Sequence, residues 1–530
     1  MRTWPNDRAA SNDGRRVSAP PHTSPTGDAA AHPPVRGRRR APRSFGSAVG
    51  WTVLGAVVPG TAFLAAGRRL LGAVTLGLFL LLVGGGVWLA TGGRRMAIRT
   101  AVDTGALLWV VGGIALVALL WIAVVVAGYR MLLPPGVGRG RHALGAVVVL
   151  ALVAAVAVPA VVAGRLVATQ RDLIAGVFDD DGQSATVDSG ADPFGDRERV
   201  NVLLLGGDGG EGREGVRTDT VIVASIETAT GETTLFSLPR NLEDLPFPAD
   251  SPLAQAYPDG FEAGDESESL LNAVYRNGPA EFPDILGPTD DPGADFLKLG
   301  VGEAVGLTID YYVLVNLDGF SRLVDALGGI TVDVNYFVPV GGEPSLGRLP
   351  DAYIAPGPDQ HMDGPTALAF ARGRFGLTDY DRMARQRCTI NAIIDAADPV
   401  TLLEQYQELA ATTKDIVSTD IPRSALDDFV DVGFLVKDAE VRSVVFDENL
   451  IDPAYPDYDR MRQIVQDALA PPSDTPASGA PETSDPAAPT TAGASPAPVN
   501  PAADVGDACA FDPVQAQAAI DAGEPPTKNG

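Results

Sequence analysis

The chain has 530 residues, too long for one compact domain, with a net charge of −27 and a pI of about 4.4. Its charge is segregated: nine arginines face three aspartates in residues 1–44, an apolar region follows, and most of the acid lies beyond Asp172. That order describes a membrane protein carrying a soluble domain rather than a nucleic-acid binder.

Residues 1–44 are rich in Pro, Arg, Ala and Ser without periodicity, which predicts a disordered basic cytoplasmic arm. Residues 45–166 form a predicted transmembrane region with apolar stretches at 49–67, 70–91, 105–127 and 143–164. The last three are long enough to span a bilayer. The first is shorter and contains Pro59, so it is either re-entrant or a fourth span. Four spans return the chain to the cytoplasm, and three place everything after about Arg165 outside. Both connecting loops are positive, so the arginine rule does not decide. Three spans fit the reading below, which needs a multi-pass protein of the cell membrane with its globular domain outside.

Residues 167–198 are an acidic linker, and a globular pattern occupies 199–470. Val200–Leu205, Val221–Ile226 and Thr233–Leu238 are apolar strand candidates, with Gly231 marking a hairpin turn between the last two. Residues 242–294 form an irregular excursion with a short helix near Ser269–Arg276. Helix, strand, helix and strand follow at Phe296–Gly306, Tyr311–Asn316, Gly319–Leu327 and Gly329–Val334. Pro365–Phe370, Met383–Ala396 and Pro399–Ser418 add helices, then a strand at Val441–Phe446 and a helix at Arg460–Ala468. The mixture predicts one α/β domain with a real core. Residues 471–505 are a Pro/Ala/Ser/Thr-rich spacer and 506–530 a tail with weak helical character.

Chemistry that needs several histidines or a Cys/His zinc set has little material here. Beyond the membrane region only His361 remains, and the cysteines are Cys388 and Cys509. On an oxidising face these two could bridge the tail to the core; otherwise they are unrelated thiols.

Arginines supply a stronger signal. Between Asp363 and Arg387, Arg372 and Arg374 stand two apart, on one face if that end is extended. After a turn, Arg382, Arg385 and Gln386 share a helix face. Gathered guanidinium groups repel one another unless an anion lies between them, and their planar forks match phosphate oxygens. A solvated charged helix is the plain alternative. Asp208 ends the first strand, Arg217 and Asp219 open the second, and Arg240 follows the third. An antiparallel pairing would put these on one rim, either as ion pairs or as a site where two carboxylates hold Mg²⁺ beside phosphate. Phe320, Leu323, Val324 and Leu327 make an apolar stripe that fits ordinary core better than a lipid trough.

The ordered set VNVLLLGGDGGEGREGVRTDTVIVASIE, LFSLPRN, LLNAVYRNG, IDYYVLVNLDGFSRLVDALGGITVDV, DGPTALAFARGRF and DYDRMARQR resembles the LytR-CpsA-Psr family of cell-envelope proteins over roughly Arg199 to Ala397. The resemblance implies an extracytoplasmic α/β/α sandwich with a mixed central sheet behind transmembrane helices. It implies a Mg²⁺-dependent phosphotransferase. Such an enzyme moves a glycopolymer from a polyprenyl-pyrophosphate carrier onto a muramoyl 6-hydroxyl of peptidoglycan. It further implies catalytic roles for Asp208, Asp219 and Arg240, with both aspartates at the metal. Arg217, Arg240, Arg372, Arg374, Arg382 and Gln386 would bind pyrophosphate. The chain departs from the family where a serine and a nearby arginine often accompany the first aspartate: Gly209 and Gly210 follow Asp208 here, the next arginine is Arg213, and Arg276 falls near another basic position of the family. A non-catalytic glycan-binding adaptor and a lipid-diphosphate pyrophosphatase are the rival readings.

Overall fold

The computed structural model describes residues 44–178, 183–187, 194, 197–207, 216–397, 417–470 and 502–528. Six helices come first: α1 (Phe45–Val57), α2 (Thr61–Ala65), α3 (Arg69–Thr91), α4 (Arg94–Val102), α5 (Thr104–Leu132) and α6 (Arg139–Val177). Among the described residues, α3, α5 and α6 are long and apolar enough to cross a membrane. They turn Leu81, Trp109 and Leu150 outward, as a lipid-facing surface does and a water-facing one does not. Helix α1, with 13 residues, is about 20 Å long at 1.5 Å per residue, too short for a hydrocarbon layer of about 30 Å. It packs on α5, where Trp121 Nε1 donates to Ala56 O at 2.9 Å.

Helix α4, between two long helices, reaches the soluble domain. Arg99 ion-pairs with Asp431, and Arg95 lies 5.2 Å from the Phe434 ring centre. The α3–α5 connection and the soluble domain therefore share one face of the helical layer.

The domain continues through β1 (Arg199–Gly207), β2 (Thr218–Glu227), β3 (Thr233–Leu238), α7 (Pro252–Ala256), α8 (Leu271–Glu281), α9 (Pro292–Val305), β4 (Tyr311–Asn316) and α10 (Leu317–Ala326). Next come β5 (Ile330–Val334), β6 (Val338–Val340), β7 (Ala352–Ile354), β8 (Gly357–Met362), α11 (Gly364–Arg372) and α12 (Asp379–Ala396). The last elements are β9 (Val417–Thr419), α13 (Leu426–Asp438), β10 (Val441–Val445), α14 (Tyr458–Leu469), β11 (Ala503–Asp504), α15 (Val505–Cys509) and α16 (Pro513–Ala522).

The central sheet runs β11-β10-β3-β2-β1-β4-β9. It is mixed: β1 pairs parallel with β4 and β3 with β10, and the other neighbours are antiparallel. Both faces are covered, which is why the strands read as unbroken apolar runs. Alternate residues serve opposite layers. Leu203, Leu205, Val221, Val223 and Phe236 pack with Phe296 and Val301 of α9 and Met461 and Val465 of α14. On the other face Ile222, Ala224 and Leu235 meet Ile390 and Ile394 of α12 and Val505 of α15. The result is an α/β/α sandwich.

The tail belongs to this unit. Strand β11 pairs with β10 and covers its edge, and Cys388 on α12 is disulfide-bonded to Cys509.

Several boundaries differ from the apolar pattern because caps set them. Asp291 Oδ1 accepts from Ala294 N at 3.0 Å and Pro292 fills the first turn, so α9 starts at 292 rather than 296. The expected helix at 399–418 lies outside the described residues as far as 416. Its last two positions are strand, since Val417–Thr419 pairs with β4. Most of the apolar stripe on α10 is core, with Val324 packed against Ile330, Val332 and Phe370.

Candidate active site at the carboxyl rim of the sheet

Antiparallel pairing sets the end of β1 beside the start of β2, with Gly206 opposite Thr220 and Gly207 opposite Thr218 across a bulge. Asp219 therefore sits on the carboxyl rim of β1. Arg240, two residues past β3, ion-pairs with Asp219 Oδ1, and Asn272 Nδ2 donates to the same oxygen at 3.1 Å. Asn272 is held by its own N–H, which donates to Arg240 O at 3.0 Å.

From the opposite side, α12 points its N-terminus at this rim. Thr378 and Asp381 close a capping box there, with Thr378 Oγ1 accepting from Asp381 N at 3.1 Å. The first turn of an 18-residue helix adds positive potential. Arg382, with a side chain only 4% exposed, donates from Nη2 to Asp219 O at 3.1 Å and to Asp379 Oδ2 at 3.0 Å. Arg374, in the α11–α12 turn, lies 3.7 Å from Asp379 Oδ1. One turn further on, Gln386 Nε2 donates to Thr220 Oγ1 at 2.7 Å, fixing α12 to β2.

The field at the rim shows in its titrating groups. Burial pushes the Asp219 carboxyl up, but the Arg240 charge, the Asn272 hydrogen bond and the Arg382 charge outweigh it. Asp219 is held below the usual aspartate range. Burial lowers the Arg382 guanidinium, and the nearby Arg374 and Arg240 charges add to that against Asp379 and Asp219. Arg382 Nε and Asn272 Oδ1 are buried without a hydrogen-bond partner among the described residues. Arg382 Nε is an unsatisfied donor beside excess positive charge, which fits a site that closes on an anion, whereas Asn272 Oδ1 and Asp379 Oδ1 are unsatisfied acceptors that an anion would not serve.

The structure does not bring every expected residue to this spot. Asp208 and Arg213 lie outside the described residues. Arg217 faces Glu268, which also pairs with Arg276 and accepts from Asn277 Nδ2 at 2.9 Å. The extended reading of the Arg372–Arg374 end is corrected: α11 runs to Arg372, and Gly373 N donates back to Ala369 O at 2.9 Å. Arg385 is also corrected. It turns away from Asp219, donating to Phe370 O at 2.7 Å, to Gly373 O and to the Tyr336 hydroxyl at 2.8 Å. It braces the turn that presents Arg374. Asn272, Asp379 and Thr220 are site residues that the sequence reading left unassigned. Asp379 was visible as an acid three residues before Arg382.

Asp219 is charged, and its Oδ2 accepts no hydrogen bond among the described residues, so it fits as one carboxylate ligand of a Mg²⁺ ion. Among the described residues, no group of three or more His, Cys, Asp or Glu side chains forms a complete metal cage.

A family model described as the LytR_cpsA_psr family matches residues 176–461, more than half of the chain. A polyisoprenyl-teichoic acid–peptidoglycan teichoic acid transferase TagU of Enterococcus faecalis is 29% identical over 232 residues, covering 42% of this chain and 62% of that protein. A probable cell wall biosynthesis protein LcpB of Corynebacterium glutamicum is 31% identical over 212 residues, covering 40% of this chain and 41% of that protein. The match spans less than two thirds of either relative's length. The crystal structure of TagV from Bacillus subtilis aligns with 24% identity and a TM-score of 0.34 over 51% of this chain and 96% of that one.

Proposed function

Because the chain belongs to the LytR-CpsA-Psr family, we propose that it is a phosphotransferase of the cell envelope. In this reading it moves a glycopolymer from a polyprenyl-pyrophosphate carrier to a muramoyl 6-hydroxyl of peptidoglycan. One observation carries the reading: Arg240, Arg374 and Arg382 converge from three segments on Asp219 and Asp379 at one rim.

The acceptor oxygen attacks the phosphorus nearer the glycan in line with the bridging oxygen. A new P–O bond forms, the bond to the bridge breaks, and polyprenyl phosphate leaves. The hydroxyl proton passes to a carboxylate or to water. Charge spreads over the phosphoryl oxygens in such a step, so positioning and electrostatic stabilisation dominate. Arg240, Arg374 and Arg382 hold the diphosphate, and Gln386 fixes the helix that carries Arg382. Arg217 joins them by exchanging Glu268 for a phosphate oxygen. Mg²⁺, when bound, would offset negative charge on the leaving side. A depressed Asp219 pKa suits a metal ligand better than a proton acceptor working near neutral pH.

An extracytoplasmic, multi-pass arrangement agrees with three long apolar helices and with a disulfide, which persists in oxidising compartments. Impermeant thiol reagents on intact cells should label Cys388 and Cys509 only after reduction; labelling that requires lysis would place the domain inside.

The deciding assay gives the full chain a polyprenyl-diphosphate-linked glycan, Mg²⁺ and peptidoglycan. Covalent glycan on peptidoglycan supports the proposal. Glycan phosphate released to water supports a pyrophosphatase, and tight binding without turnover supports an adaptor.

A further inference from the structure

A second concave surface lies along the same rim, beyond Arg240. It encloses about 500 Å³ between the 244–260 excursion and the 455–458 segment. Phe247 and Tyr257 form its floor, their ring centres 5.6 Å apart. Tyr455 stands at its mouth, 84% exposed, an unusual position for a large ring with no structural task. Its polar walls are the exposed carboxylates Asp244 and Asp259, which make no hydrogen bond among the described residues.

The backbone here is built, not loose. Asp244 holds a left-handed φ of 51°, rare for a residue with a side chain. Gly260, at φ 102°, packs so closely that a Cβ would fall 2.5 Å from the Asp244 carbonyl. Glu243 is pinned on both sides: its N–H donates to Pro453 O at 3.0 Å and its carbonyl accepts from the Tyr458 hydroxyl at 2.5 Å.

Charge separates this groove from the arginine site. Burial and repulsion from Glu266, Asp244 and Asp452 push the Glu243 carboxyl above its usual range, so the local field is negative. A phosphate is repelled there. A ligand suited to it has a flat apolar face for the rings and hydroxyl or amide donors for the carboxylates, which is the chemistry of an unphosphorylated sugar. Only three residues lie between Arg240 and Asp244, four steps of chain that span at most about 14 Å when extended. The basic α12 side suits the anionic donor, which leaves the acidic side for the neutral nucleophile.

We propose that the groove lined by Tyr257, Tyr455, Asp244 and Asp259 binds unphosphorylated sugar residues of the acceptor glycan strand and presents its hydroxyl to the diphosphate. This rests on the transferase reading above and adds the acceptor subsite to it.

The test uses the full chain in lipid nanodiscs with two separate probes, an unphosphorylated peptidoglycan tetrasaccharide and a polyprenyl diphosphate. Tyr455→Ala and Asp244→Asn should each weaken tetrasaccharide binding by about tenfold and leave diphosphate affinity within about twofold. Tyr455 is exposed, so its replacement leaves the fold intact. Unchanged tetrasaccharide binding, or none by the wild type, overturns the proposal. So does a matching fall in diphosphate affinity, which would assign the groove to the donor. Tetrasaccharide binding that responds as expected in a protein that ignores diphosphate would sink the transferase reading while sparing the sugar site.

Discussion

Two clusters of charge sit at opposite ends of the central sheet. At the amino ends of β1 and β4, Lys298 Nζ donates to Asp420 Oδ2 at 2.5 Å and to Asp310 O at 2.9 Å. Asp420 also accepts from Tyr312 N at 2.8 Å, and Asp310 from Asn201 N at 2.7 Å and Arg197 Nη1 at 2.6 Å. Asp295 accepts from Ser184, Ala185, Thr186 and Thr289. Each buried charge there is matched by its own donors or acceptors. At the carboxyl rim, Arg240, Arg374 and Arg382 share Asp219 and Asp379, and Arg382 Nε and Asn272 Oδ1 have no hydrogen-bond partner among the described residues. Both places desolvate ions. Each ion of the first has partners within the fold, although Asn201 Oδ1 beside it has none among the described residues, and the second sets three guanidinium groups against two carboxylates. An incomplete cluster costs stability, and it persists where a ligand completes it.

The sharpest way to break this contrast is at the amino end. Lys298→Met strands Asp420 in the interior and should lower the unfolding free energy by about 3–5 kcal/mol in denaturant titration. Diphosphate affinity of the folded protein should not move. A loss under about 1 kcal/mol would mean that the network does not hold the fold.

Arg374→Ala should behave in the opposite way. It should cost more than about 1.5 kcal/mol of diphosphate binding, the lower range for a charge-assisted hydrogen bond. Stability should change by less than about 0.5 kcal/mol, because the side chain is 40% exposed. Equal donor affinity in variant and wild type would remove Arg374 from the site.

The smallest effect is a pH dependence. Because Asp219 has a lowered folded pKa, its stabilising contribution is fully present above the unfolded value of about 3.9 and is lost as pH falls through the folded value. The stability gap between wild type and Asp219→Asn should therefore stay constant from neutral pH to about 4 and close below it. A gap that closes near pH 6 would mean that Asp219 is not held by the arginines.

Much of the domain was legible because its strands are buried on both faces. Thr233–Leu238 coincides with β3, and Val200–Leu205 falls short of β1 by one residue at its start and two at its end. Helix α13 carries its period in Leu426, Phe429, Val432 and Val436, a signal that the reading of the sequence does not use. Strands β6, β7, β9 and β11 have two or three residues each, too few to show alternation. In the site, Asp219, Arg240 and Arg382 announced themselves by charge next to apolar runs. Arg385 misled because helix periodicity gives a face but not what lies opposite it. Its partners are carbonyls of the preceding turn, 12 and 15 residues back. The Glu268 pairing of Arg217 was invisible because that glutamate comes from the irregular excursion, 51 residues away.

The most direct test of the arginine rim is equilibrium binding of polyprenyl diphosphate and polyprenyl monophosphate to the full chain, wild type against Arg240→Ala. The wild type should prefer the diphosphate by more than about tenfold and lose most of that preference in the variant. Equal affinity for the two lipids, in both proteins, would contradict the account.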